Sequence, residues 1–127
     1  MQAKSFFLNH LITESISDNK SILLENLYFF SHRLFCQITI PKYFETDFCS
    51  VPRIAGIYTW LGGKYKRAGA LHDYLYRTAI VTRATADAIL RDAIIAEDGS
   101  YIDAYSMWAA VRVFGNIYYN PQFIEHR

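Results

Sequence analysis

Cysteine is scarce in this chain, with two among 127 residues, Cys36 and Cys49. Two thiols cannot frame a disulfide scaffold. Both sit on segments that read as core-facing, so each is expected to be a free buried cysteine. No apolar run approaches the ~20 residues that would cross a bilayer. The opening MQAKSFFLNHLITES is too polar, and its apolar stretch too short, for a secretory signal. Synthesis and folding in a reducing cytoplasm are the expectation. Charge of one sign is lacking too. A formal net charge of +1 gives no global attraction for nucleic acid or an anionic membrane, so any such binding needs a local patch. Repeats and low-complexity linkers are absent. Neither His-Glu-x-x-His nor Cys-x-x-Cys occurs, which removes the standard zinc sites. Gly-x-Ser-x-Gly and phosphate-cradling P-loop patterns are missing as well.

What the chain has is apolar and aromatic material: 52% hydrophobic residues, ten Tyr and nine Phe. With 20% charged residues and a mean hydropathy near zero, this is the composition of an ordinary folded globule. The length fits one domain, 1–127, because a half-length piece would bury too little surface.

Before residue 50 the pattern is that of strands. Extended runs are expected at about Ser5 to Ile12 and Ser21 to Phe30, with the SDNK turn between them. In LFCQITI, Leu34, Cys36, Ile38 and Ile40 fall on one face and Gln37 and Thr39 on the other. That is the period of two of a half-buried antiparallel strand, and Pro41 ends it. After residue 66 the period lengthens. Ala68 to Thr78 reads as a helix burying Leu71, Leu75 and Ala79. Thr82 or Thr85 is placed to cap a second helix, whose apolar face is Ile89, Leu90, Ala93 and Ile94 and whose C′ position suits Gly99. A third helix begins near Ser100, with Tyr101, Tyr105, Trp108, Ala109 and Val113 on one side, and ends at Gly115. The expected fold is α+β: a small antiparallel sheet over about 5–40, a connecting loop 41–66, a helical half 67–115 and a loosely docked arm 116–127.

The loop PKYFETDFCSVPRIAG is too apolar for an ordinary surface connection. Its Thr46, Asp47, Ser50, Pro52 and Arg53 form a compact polar motif. Asp and Ser in such bends commonly bond their own backbone; the alternative makes Asp47 a metal ligand or an acid. The stretch GGKYKRAG places Lys64, Lys66 and Arg67 before a helix N-terminus, where free N–H groups and the macrodipole favour an anion. Tyr65 would stack there. A plain solvated loop is the other reading, and three cations are few for tight phosphate binding in salt.

AGALHDYLYR carries the one adjacent His–Asp pair. On a helix, His72 lies above Tyr76, and Asp73 above Arg77. One reading is structural: a surface Asp73–Arg77 pair and a hydrogen-bonded core histidine. The other is catalytic: a carboxylate beside an imidazole fixes its tautomer and prepares a base. The phosphohydrolases named for a His-Asp pair also need helical histidines upstream, whereas His10 and His32 fall in the strand region.

ITIPKYFETDFCSVPR, GGKYKRAGALHDYLYR and ADAILRDA, taken in order over about residues 33–95, resemble a phage and prophage family labelled domain of unknown function 1353. Tyr43 stands where that family tends to have Gly, and Cys49 where it tends to have Ala. The resemblance implies a phage or prophage origin and no known reaction. Locally, HDYLY is similar to the catalytic helix of phospholipase A2. That likeness implies His72 as general base for water, Asp73 as a Ca²⁺ ligand and Tyr76 as support; among the residues here, Asp47 and backbone carbonyls are the other donors available to join Asp73. Asp87, opening the next helix, takes the place of the carboxylate that orients the histidine. The disulfides of that family are missing, and Gly62 and Gly63 lie too near His72 for its Ca²⁺ loop. A hard cation also wants six to eight oxygens.

Two functions follow as expectations. One is a metal-assisted hydrolase of a host-envelope ester or amide, using Ca²⁺ or another divalent cation, with Lys64, Lys66 and Arg67 holding an anionic substrate. The other is a non-enzymatic phage protein, either a virion or tail component or a small factor binding a host protein. In that case Tyr58, Trp60, Tyr118 and Tyr119 would supply contacts. The site of action is the host cytoplasm or the virion. A dyad fully enclosed by side chains favours the second.

Overall fold

The computed structural model describes residues 4–18, 20–48 and 64–119. Its strands are β1 (Phe6–Phe7), β2 (Thr13–Ser15), β3 (Ser21–Leu23), β4 (Leu27–Ser31), β5 (Cys36–Ile40) and β6 (Glu45–Thr46). They form two antiparallel sheets rather than the one expected, ordered β1-β4-β5 and β2-β3-β6. The expected run at 21–30 is broken in two, β3 in one sheet and β4 in the other, while the run at 5–12 holds only β1 and is followed by β2 in the other sheet. Asparagines occupy the corners. The Asn9 amide donates to the Asn26 carbonyl and its oxygen accepts from the Tyr28 N–H, while Asn26 accepts from the Lys42 N–H. These side chains satisfy backbone groups that the broken ladder would otherwise leave bare.

β6 lies inside the segment expected to be only a loop. It adds to β3 in the register Ser21↔Thr46 and Ile22↔Glu45. Tyr43, just before it, has φ +74°, the left-handed backbone in which glycine is least strained. Ile38 and Ile40 are buried as the alternation requires, but Cys36 is exposed. It stands at the hairpin end of β5, an edge strand. Cys49, Ser50, Pro52, Arg53, Tyr58, Trp60, Gly62 and Gly63 lie outside the described residues.

Three helices follow among the described residues: α1 (Lys66–Thr78), α2 (Arg83–Ala96) and α3 (Tyr101–Phe114). α2 lies between the other two and also meets β1, while α1 meets β6. The expected faces of α1 and α2 are the buried ones: Leu71 and Leu75, then Ile89, Leu90, Ala93 and Ile94. Ala79 is the left-handed C-cap of α1 rather than a core residue. Thr82 caps α2 by accepting from the Thr85 N–H. At the other end the left-handed residue is Asp98, not Gly99. Gly99 follows it, and its N–H closes the helix on the Ile94 carbonyl.

α3 departs from the sequence pattern. Its core face is Ala104, Met107, Ala110 and Val111, whereas Tyr101, Tyr105 and Val113 face outward. Three of these four are Ala or Val, which lets α3 pack closely along α2. Gly115 ends the helix, and the Tyr119 hydroxyl donates to the Val81 carbonyl. Tyr118 and Tyr119 are therefore half-buried against the core rather than free contact surface. One core joins β3, β4 and β5 to all three helices.

Candidate functional site

The start of α1 is fixed from outside the helix. Tyr65, its N-cap, makes no side-chain cap. Glu97, at the end of α2, supplies the missing anion: it accepts from the Ala68 N–H at 3.0 Å and from Arg67 Nε at 2.9 Å. Arg67 also donates to the Asn9 carbonyl and lies over the Phe7 ring. Of the three cations expected to hold an anion, Arg67 is thus held internally. Lys64 and Lys66 are exposed. Tyr65 donates to Asp103 instead of offering a stacking face.

Further along α1 the residues sort into two centres. The first is buried between α1 and α2. His72 is 1% exposed and Asp87 0%. His72 Nε2 lies 2.8 Å from Asp87 Oδ1, and the Tyr76 hydroxyl donates to that same oxygen at 2.6 Å. Arg112, from α3, donates to Asp87 Oδ2 at 2.8 Å, and Arg83 stands 3.8 Å from it. Gly115 makes room here, because a Cβ on it would fall 2.5 Å from the Tyr76 hydroxyl.

Burial pushes the Asp87 carboxyl upward, but the bonds from His72, Tyr76 and Arg112 outweigh it and hold the group below its ordinary value. Burial lowers His72, with only partial opposition from Asp87. The consistent state is an Asp87 carboxylate balanced by Arg112 and Arg83, beside a neutral His72 that donates its Nε2–H. Tyr76 is pushed well above the usual phenol range, first by burial and then by its bond to Asp87. It stays protonated.

The second centre lies where β6 meets α1. A Cβ on Gly69 would fall 2.8 Å from the Phe48 carbonyl oxygen, so this glycine lets the Thr46–Phe48 segment lie against the helix. One turn on, Asp73 Oδ2 accepts from the Thr46 hydroxyl at 2.9 Å and from the Asp47 N–H at 3.2 Å. Arg77 Nε stands 3.3 Å from Asp73 Oδ1 and also donates to the Glu45 carbonyl. Burial and then the Asp47 charge push the Asp73 carboxyl up to about 6, against Arg77, Thr46 and the Asp47 N–H. Asp47 and Asp73 together supply at most four carboxylate oxygens, short of the six to eight a hard cation takes. No cluster of three or more His, Cys, Asp or Glu side chains suited to a metal occurs among the described residues.

The motifs therefore converge along one helix, with His72, Tyr76 and Asp87 in one group and Thr46, Asp47 and Asp73 in the other. Sequence reading missed three partners. Arg83 sits four residues before Asp87, a spacing that was available to find it. Arg112 and Glu97 act across helix packing and leave no local signal.

No curated protein and no solved structure was found to match the chain. The family model described as protein of unknown function (DUF1353) matches residues 22–111, the stretch holding both polar centres apart from Arg112, and the chain belongs to that family.

Proposed function

We propose that this is a phage- or prophage-encoded hydrolase of an ester or amide of the host envelope, in which His72 activates water. The observation that carries this reading is the double acceptance by Asp87 Oδ1, from His72 Nε2 and from the Tyr76 hydroxyl. An ionised carboxylate that fixes one ring nitrogen as donor leaves the other, Nδ1, as the basic one. In the reaction, once the groups enclosing the ring have parted, Nδ1 takes a proton from water as the oxygen attacks the substrate carbonyl. The acyl C–O or C–N bond then breaks, and the proton passes from Nδ1 to the leaving oxygen or nitrogen. Asp87 keeps its charge throughout because Arg112 and Arg83 balance it. Tyr76 holds the carboxylate in place. Lys64 and Lys66, exposed at the start of the same helix, suit an anionic substrate. The Asp47–Asp73 pair supplies two carboxylates toward a divalent cation, and no step above depends on one.

The enclosure of His72 supports a second reading. At 1% exposure the ring is shut off from water, so hydrolysis requires its neighbours to part when substrate binds. Without such opening the network is a staple between helices, and the protein is a non-enzymatic virion component or a factor binding a host protein. Incubation with isolated host-envelope fractions separates the two. The hydrolase releases new carboxylate ends, and His72→Gln loses about 10²–10⁴-fold of that activity. Fractions left intact by the wild-type protein favour the staple.

A further inference from the structure

α3 is apolar on both sides. Ala104, Met107, Ala110 and Val111 face the core, while Tyr101, Ile102, Tyr105 and Val113 point outward at 49% to 72% exposure, with Ala109 exposed among them. A helix that is hydrophobic all round is ordinarily buried all round. A water-facing helix carries charge on its outer side, and α3 has two charged residues to offer. Both are engaged within the chain: Asp103 accepts from the Tyr65 hydroxyl and Arg112 donates to Asp87. The side chains of the outward stripe, Tyr101, Ile102, Tyr105, Ala109 and Val113, are uncharged, and the Arg91 guanidinium from α2 lies over the Tyr105 ring at its edge.

We infer that this face is the seam of a two-fold dimer, covered by α3 of a second copy of the chain. The spacing fits a helix pair. Ile102, Tyr105 and Ala109 recur at steps of three and four, as in the seam of paired helices. Ser106 and Ala109, both small, sit at the middle of the helix, where two backbones crossing at the two-fold axis approach most closely. Run antiparallel to itself about that point, the stripe sets the Ile102 end of one helix against the Val113 end of the other. An interface of this kind is complementary to itself by symmetry.

The area agrees. With large side chains presenting on the order of 100–200 Å² each, the stripe and Ile117 beyond it, 74% exposed, offer roughly 600 Å² per copy, approaching the ~800 Å² per partner of a standard interface. Charge does not oppose this occupant, since a net charge of +1 per chain sets little repulsion between two copies.

The inference is independent of the chemistry proposed for His72. Its test is the mass of the full chain in solution, by sedimentation or light scattering, from about 1 to about 200 μM. The mass should rise from one chain to two over that range. Ile102→Glu and Val113→Lys, at opposite ends of the exposed stripe, should each weaken the dimer by at least about tenfold while leaving the circular dichroism of the monomer unchanged. Two variants guard against one failing to fold. A mass of one chain at every concentration overturns the inference, and so does a dimer that withstands both substitutions.

Discussion

Asp87→Asn isolates one charge at the centre of the buried network. Asparagine keeps the shape, and its Oδ1 still accepts from His72 Nε2 and the Tyr76 hydroxyl. The change falls on the other atom. Asp87 Oδ2 accepts from Arg112 at 2.8 Å, and the substitution puts an NH₂ donor there, facing a guanidinium donor. A charge-assisted hydrogen bond worth about 1.5–3 kcal/mol is lost. The two guanidiniums also keep their charge without a counter-ion, although Arg112 is one-third exposed and water screens part of that cost. The sum is about 3 kcal/mol, at the lower end of the 3–5 kcal/mol for breaking a buried pair. For a chain of this length it corresponds to a fall in Tm of roughly 10–15 °C. Thermal unfolding followed by circular dichroism measures it. Arg112→Met in the same background should restore about half, because the unmatched guanidinium goes with it. An Asp87→Asn protein within about 1 kcal/mol of wild type would refute an ionised Asp87 tied to Arg112.

Three further outcomes follow. Asp73 has a carboxyl pushed up to about 6 in the fold, above the ordinary aspartate value of about 3.9. Its contribution is therefore fully present below pH 4 and lost as pH rises through 6, on the order of 3 kcal/mol. Asp73→Asn should melt higher than wild type at pH 8 and equal to it near pH 4, and a lower Tm at pH 8 contradicts this. If the Asp47–Asp73 pair takes a divalent cation, saturating Ca²⁺ at ~100 times its Kd adds about 2.7 kcal/mol to the wild type and nothing to Asp73→Asn; a Tm indifferent to Ca²⁺ and Mg²⁺ removes the metal. Gly69→Ala forces the Phe48 backbone off α1, costing roughly 1–3 kcal/mol in urea unfolding, and a neutral result contradicts the close approach.

Local patterns were legible in the sequence, and what depended on packing between elements was not. The helix faces of α1 and α2, the Thr82 cap and the Pro41 stop each depend on residues a few positions apart. The spacing of His72, Tyr76 and Asp87 belongs with them, since two antiparallel helices joined by a short turn must bring their facing residues together. α3 misled because it is apolar on every side, so periodicity could not say which side meets the core. The placing of β1 and β2, and of β3 and β4, in different sheets depends on Asn9 and Asn26 reaching residues 16 to 19 positions away. Arg112 and Glu97 find their partners across helix interfaces, and only the fold brings them there.

The central claim is that His72 serves chemistry rather than stability, and His72→Ala tests it most directly when turnover on a responsive envelope fraction and Tm are measured on one preparation. The hydrolase predicts that turnover falls by about 10²–10⁴-fold while the protein stays folded, because Tyr76, Arg112 and Arg83 still hold Asp87. Unfolding of His72→Ala at ordinary temperature, with a loss of roughly 3–5 kcal/mol and no wild-type turnover to lose, would contradict it and make the histidine a staple.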